Sequence, residues 1–223
     1  MVSVSDRPTS AAGFDLPGLR ILPGWLEPGR QSAIVDAIAE VLAAAPLYQA
    51  RMPRSGRPLS VRMTNCGELG WYSDRAGYRY EPRHPVTGER WPPIPVRLLD
   101  LWDEVARYPA RPQACLVNFY TMRARMGLHR DEDEEDLAAP VVSVSLGDDC
   151  RFRIGGLSRS DPTRSVRLRS GDVVVLGGDA RLAFHGVERI YAGTSGLLAR
   201  LGDGFAAGGR LNLTLRRVGA LAS

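Results

Sequence analysis

Arg210-Leu-Asn-Leu-Thr-Leu-Arg216 alternates polar and apolar side chains without a break. Successive side chains of a strand point to opposite faces, so this stretch reads as a strand that is apolar on one face and polar on the other. It closes a series. From residue 113 onward, short alternating or apolar runs at 114–120, 140–147, 150–155, 165–169, 172–176, 182–187 and 210–217 are separated by Gly, Asp and Ser turns. Seven or eight such strands at this spacing predict an all-β sandwich or barrel.

Upstream the pattern differs. Residues 1–18 carry Ser, Pro and Gly without periodicity and read as a loose arm. Ile34, Ile38, Val41 and Leu42 recur at helical spacing over 33–45, and Pro46 ends that helix. Residues 50–95 are rich in Pro, Gly and Arg, with Trp71, Tyr72, Tyr78, Tyr80 and Trp91 among them. They read as short strands and loops forming a separate surface, with no long core element. A second helix is expected at about 96–108, burying Val96, Leu99, Trp102 and Val105. The segment 193–209 reads as an enlarged Gly-rich loop before the last strand.

The 223 residues suffice for one domain with a full core, and 44% hydrophobic content is ordinary for a globular chain. No apolar run approaches the roughly 20 residues of a membrane span, so no membrane partner is expected. Met1–Asp6 has neither the basic nor the apolar region of a signal peptide. Cys66, Cys115 and Cys150 are odd in number and widely spaced, which fits neither a disulfide framework nor a zinc site. A cytoplasmic protein, monomeric by default, is therefore expected. The net charge is +4, and all 29 basic residues are arginine. Codon bias in a GC-rich genome explains that choice. Mild basicity permits nucleic-acid binding, and guanidinium groups suit phosphates and bases.

There are three histidines. His84 sits among Pro and Arg and reads as a surface residue. His129 and Asp131 share one face of a strand if the strand continues through them, and His185 ends another expected strand. Two imidazoles and a carboxylate can occupy one face of a metal and leave the other open, the arrangement of non-haem Fe(II) oxygenases. Zinc in the same ligands would be a Lewis acid without redox chemistry. An arginine beyond the second histidine, Arg210, is what an acidic co-substrate would need.

Beyond these ligands, several strings carry a wider resemblance. They are Met63-Thr-Asn-Cys-Gly-Glu-Leu-Gly-Trp71, Ala114-Cys-Leu-Val-Asn-Phe-Tyr120, Leu128-His-Arg-Asp-Glu-Asp-Glu134, Pro140-Val-Val-Ser-Val-Ser-Leu-Gly147, Gly155-Gly-Leu-Ser-Arg159, Gly171-Asp-Val-Val-Val175 and the closing strand. From about residue 18 to residue 218 the chain resembles the bacterial AlkB proteins, Fe(II)/2-oxoglutarate-dependent dioxygenases that repair alkylated nucleic-acid bases. The resemblance implies a mainly β fold with flanking helices: a double-stranded β-helix (jelly-roll) core over 96–218, a helix and nucleotide-recognition lid over 19–95, and a tail over 219–223.

It also implies roles. His129, Asp131 and His185 would hold Fe(II). Arg210 would bind one carboxylate of 2-oxoglutarate, with Asn118, Tyr120, Asn212 and Arg216 as further contacts and O2 as the second co-substrate. Trp71 would stack on a flipped base, Tyr78 and Tyr80 would contact the nucleotide, and Arg159 would contact substrate. Asp133, and more weakly Glu134, would face the exocyclic amino group of adenine or cytosine, since a carboxylate accepts from such a donor. Glu132, Glu135 and Asp136 read as a solvated acidic face.

The implied reaction is demethylation of 1-methyladenine and 3-methylcytosine with release of formaldehyde, succinate and CO2. Single-stranded DNA is the expected partner, since unpairing costs least there, with double-stranded DNA and RNA as further possibilities. A hydroxylase of a protein or small molecule and a non-catalytic reader of alkylated nucleic acid are the alternatives. The chain departs from the family pattern at Phe119, Leu211 and Leu176, the last where tryptophan is expected.

Overall fold

The computed structural model describes residues 16–219. The expected tail beyond 219 and all but the end of the expected N-terminal arm lie outside these residues. Twelve strands and two α-helices follow in the order β1 (Leu19–Leu22), α1 (Pro28–Ala44), β2 (Arg62–Gly67), β3 (Gly70–Asp74), β4 (Gly77–Glu81), α2 (Val96–Val105), β5 (Ala114–Tyr120), β6 (Met126–His129), β7 (Val141–Gly147), β8 (Asp149–Ile154), β9 (Arg164–Leu168), β10 (Val173–Leu176), β11 (His185–Tyr191) and β12 (Arg210–Arg216). They form a six-stranded sheet in the order β1-β10-β7-β12-β5-β2, a four-stranded sheet β6-β11-β8-β9, and the separate hairpin β3-β4. Every pairing is antiparallel.

Period-2 alternation sorts the large sheet into two faces. Cys115, Val117 and Phe119 of β5, Val142, Val144 and Leu146 of β7, and Leu211, Leu213 and Leu215 of β12 join one core with Ile34, Val35, Ile38 and Val41 of α1 and Leu98, Leu101, Trp102 and Val105 of α2. The intervening residues face the small sheet. There Val141, Val174 and Leu176 meet Phe152, Ile154, Leu168 and Val187. Two layers with helices packed outside one of them make the jelly-roll sandwich. Phe119 and Leu211 depart from the family pattern on the helix-covered face, away from the interior.

Several expectations are corrected. The stretch 50–95 does contain a core element: β2 pairs with β5 along its whole length, and Met63, Thr64, Asn65 and Cys66 are fully buried. β1 likewise pairs with β10. The main sheet therefore runs across residue 95, and β3-β4 is the part that stands apart from it. α1 begins at Pro28, a turn earlier than expected, because proline fits the first helical turn, where no donor is needed. In α2 the buried face is rotated: Leu98 and Leu101 are buried, while Val96 is exposed. The expected strand 182–187 is a 3-10 turn over Gly178–Leu182 followed by β11, so His185 starts its strand rather than ending one. The Gly-rich segment is not an open loop. It folds into 3-10 turns at Leu197–Leu201 and Asp203–Phe205 whose apolar residues join the helix-side core, with Phe205 edge-on to Phe119.

Candidate metal and co-substrate site

The open interior between the sheets is a cavity of about 750 Å3. At its rim, antiparallel pairing of β6 with β11 sets His129 directly opposite His185. Gly186 makes that approach possible: a Cβ there would stand 2.6 Å from the Met126 carbonyl oxygen. Each imidazole is held by its Nδ1, which donates to a carbonyl two residues back, Gly127 O for His129 and Ala183 O for His185, both at 2.9 Å. That fixes the tautomer and leaves both Nε2 lone pairs free for a ligand.

Asp131 completes the set, but not by strand alternation, because β6 ends at His129. The carboxylate is placed instead by buried arginines. Arg216 Nη2 donates to Asp131 Oδ1 at 2.7 Å, and Arg181 Nη1 donates to the Asp131 carbonyl at 2.6 Å. The other carboxylate oxygen, Oδ2, is buried without a hydrogen-bond partner and lies 3.8 Å from His185 Nε2. The three ligand atoms fall within 4.8 Å of one another. Burial opposes ionisation of Asp131, but Arg216 beside it, with the two histidines, holds its pKa well below the usual range. Burial lowers that of His185 to about 4, with His129 adding to the shift, so His185 stands as a neutral ligand.

Deeper in, the polar face of β12 forms one wall of the cavity. Arg210 is 1% exposed, and its Nη2 donates to Ser145 Oγ at 2.6 Å, while Nε and Nη1 have no partner. A buried guanidinium with two idle donors is costly unless an anion meets it. Asn118 Oδ1 is also buried without a partner. Tyr120, Asn212 and Arg216 line the same cavity, and Asn212 Nδ2 donates to Ser143 Oγ at 2.7 Å. Leu176 replaces the expected tryptophan in a stretch of wall shared with Val141, Phe152 and Leu168.

At the mouth, Trp71 and Tyr78 face each other across the β3-β4 hairpin, their rings 5.4 Å apart and stacked. Trp71 Nε1 donates to Asp133 Oδ2 at 2.8 Å. Burial raises the Asp133 pKa; the Trp71 hydrogen bond acts against this and the neighbouring Glu134 adds to it. Arg159 is exposed on the rim with its guanidinium 5.9 Å from the Phe184 ring.

Two expected substrate residues are elsewhere. Tyr80 and Glu134 are not in the cavity wall; the Tyr80 hydroxyl donates to Glu134, and Glu134 is locked to Arg181 Nη2 at 2.9 Å. Asp136 is buried, accepting from the Tyr108 hydroxyl at 2.8 Å, so it is no part of a solvated face. His84 is also buried: it bonds Pro46 O at 2.8 Å through Nε2, and its ring packs against Tyr48 and Trp91. It braces the lid. Sequence reading missed Arg181, Ser145 and Gly186. A lone arginine, serine or glycine carries no spacing signal, although Ser145 does fall on the polar side of an alternating strand.

The profile of the 2OG-Fe(II) oxygenase superfamily matches residues 18–216. The chain is 52% identical over 202 residues to the alpha-ketoglutarate-dependent dioxygenase AlkB homolog of Caulobacter vibrioides, covering 91% of this chain and 88% of that one. The chain belongs to the AlkB branch of the 2OG-Fe(II) oxygenases. The AlkB dioxygenase of Escherichia coli is 42% identical over 190 residues, covering 83% of this chain and 84% of that one. The solved structure of OsALKBH1 superposes with a TM-score of 0.74 at 32% identity, covering 92% of this chain and 99% of that one. As an AlkB-type dioxygenase the protein uses Fe(II), with 2-oxoglutarate and O2 as co-substrates. The interior fits them. Two imidazoles with free Nε2 atoms and an idle carboxylate oxygen suit a ferrous ion, and the idle Arg210 donors suit a carboxylate.

Proposed function

We propose that this AlkB-type enzyme oxidatively removes methyl groups from ring nitrogens of nucleic-acid bases, with 1-methyladenine and 3-methylcytosine as substrates. His129, Asp131 and His185 hold Fe(II). Arg210 anchors 2-oxoglutarate, and Asn118, Tyr120, Asn212 and Arg216 complete its pocket. When bound, the metal would supply O2-dependent chemistry in which one oxygen atom enters succinate as 2-oxoglutarate loses CO2 and the other is inserted into a C–H bond of the methyl group. The hydroxymethylated base then loses formaldehyde.

The remaining work falls to side chains at the mouth. Trp71 and Tyr78 offer flat faces to an extruded base, and His129, which lines the same cavity, serves as the opposite wall. Asp133 accepts from the exocyclic amino group and favours the cationic methylated ring. Tyr80 and Glu134 act behind these residues as positioning groups, since both are tied to Arg216, which holds Asp131. Arg159 contacts the substrate strand at the rim.

The observation that carries this reading is one cavity with an idle guanidinium inside it, a His-Asp-His cluster at its rim and a carboxylate-bonded tryptophan at its mouth. The relatives' names support demethylation of nucleic-acid bases, though not the ring position: one is a tRNA demethylase and another a DNA N(6)-methyladenine demethylase, which acts on an exocyclic nitrogen. Single-stranded DNA is the favoured substrate, because no strand need be unpaired. The enzyme acts as a cytoplasmic monomer; its three cysteines are all buried and unbridged, and no helix of the described residues is long and apolar enough to cross a membrane.

The test is release of formaldehyde and succinate from a methylated oligonucleotide, dependent on both Fe(II) and 2-oxoglutarate. His129→Ala and Asp131→Ala are each expected to lower turnover by more than the roughly 10–100-fold typical of an outer-sphere partner. Undiminished turnover in either variant overturns the assignment.

A further inference from the structure

The outer face of the small sheet carries charge that the reaction does not use. Arg189 of β11 stands opposite Arg151 of β8, and Arg151 stands opposite Arg167 of β9. The three exposed guanidinium side chains thus form one row across three neighbouring strands. Alternation puts Arg153 on the same face. Like charges directly opposite each other on a sheet repel, so a row of this kind works against the fold unless an anion meets it.

Local partners relieve only part of that repulsion. Arg167 Nε is 2.8 Å from Asp149 Oδ2, and Arg151 Nη1 is 3.7 Å from Glu188 Oε2. That leaves four guanidiniums against two carboxylates. The Tyr191 ring gathers two of them, Arg167 at 4.6 Å and Arg189 at 5.4 Å from its centroid. Planar cations packed on an exposed-edge aromatic make a platform suited to phosphates and bases together.

The strands that carry the row also reach the cavity at their other ends. β11 starts at His185 and reaches Arg189 about 13 Å further on, at ~3.3 Å per residue. The opposite ends of β8 and β9, at Ile154 and Arg164, pair beside His185, and the turn between them carries Arg159 at the rim. A strand leaving the mouth past Arg159 comes to the row within a few nucleotides.

We propose that this outer face binds the phosphodiester backbone flanking the nucleotide held in the cavity, with Arg151, Arg167 and Arg189 each meeting a phosphate. This rests on the demethylase reading and adds to it a track for the rest of the strand. The link to the mouth favours a nucleic acid over an acidic polypeptide.

The test compares the wild type with the triple variant Arg151→Gln, Arg167→Gln, Arg189→Gln. Turnover of a trinucleotide bearing 1-methyladenine is expected to change by less than about twofold. Binding of an unmodified single strand of about 20 nucleotides is expected to weaken at least about tenfold at low salt. Its slope of log Kd against log salt should fall by about 2, at ~0.7 per lost phosphate contact. In the wild type, the same strand should protect these three arginines from phenylglyoxal, and the trinucleotide should not. Retained turnover of the trinucleotide shows that the variant is folded, since Arg167→Gln also removes a partner of Asp149. Equal strand affinity and slope in the variant, or no protection in the wild type, overturns the proposal. Equal protection by polyglutamate assigns the face to an acidic polypeptide and also overturns it. Loss of the demethylase reading would show separately, as wild-type failure to turn over the trinucleotide, because strand binding needs no catalysis.

Discussion

The ligand end and the lid end of the same cavity are built on opposite terms. Around Asp131 nearly every polar atom is buried and committed: Arg216 and Arg181 hold the aspartate, Glu134 holds both arginines, and the Tyr80 hydroxyl holds Glu134. The atoms left idle there, Asp131 Oδ2 and two Arg210 nitrogens among them, are of the kinds that suit a metal and a carboxylate. At the mouth, Tyr78 is 50% exposed, and Trp71 is tied to Asp133 by one hydrogen bond. A metal tolerates little misplacement, so its ligands are set by a buried network before it arrives. A nucleotide must enter and leave, so its contacts are few and open.

The contrast breaks first at Arg181. Arg181→Leu strands the buried Glu134 carboxylate, at a cost of about 3–5 kcal/mol. Both the melting temperature and the affinity for Fe(II) are expected to fall, read by calorimetry and by metal titration. A variant that melts like the wild type would show that the network is not what holds the ligand end. Arg210→Met should separate function from stability within that same end. Its 2-oxoglutarate affinity should drop at least about 100-fold, roughly 3 kcal/mol for lost charged hydrogen bonds. Without co-substrate the variant should melt no lower than the wild type, since an under-paired buried cation is removed. The smallest effect belongs to the lid. Trp71→Ala should raise KM for a methylated oligonucleotide by the equivalent of about 1–3 kcal/mol, the worth of one stacked base. Its effect on Fe(II) and 2-oxoglutarate affinity should be negligible, and a large effect would mean that the two ends are not independent.

Much of this was legible in the chain itself. Alternation in 210–216 announced both a strand and which of its residues share a face, because the pleat allows no other assignment. The His-x-Asp pair, the later histidine and the arginine beyond it named the ligand set by residue type. Errors arose where burial depends on distant partners. His84 read as a surface residue because its neighbours in sequence are polar, yet Tyr48 and Trp91 enclose it. Val96 read as buried because helical periodicity gives a spacing but not a phase, which α2 takes from the sheet beneath it. Tyr80 and Glu134 stand outside the cavity wall because the arginines that hold them lie far along the chain.

Local residue order by itself determined most strands of the later half, both helices and the kinds of atoms available to grip iron and a dicarboxylate, since alternation and ligand chemistry are short-range properties. Tertiary structure alone decided which carboxylate oxygen stays free, how Arg181 steadies the Asp131 loop, and that Arg151, Arg167 and Arg189 line up on one face. Those outcomes depend on strand register and on buried charges meeting across the fold, and neither is written in any one stretch of the chain.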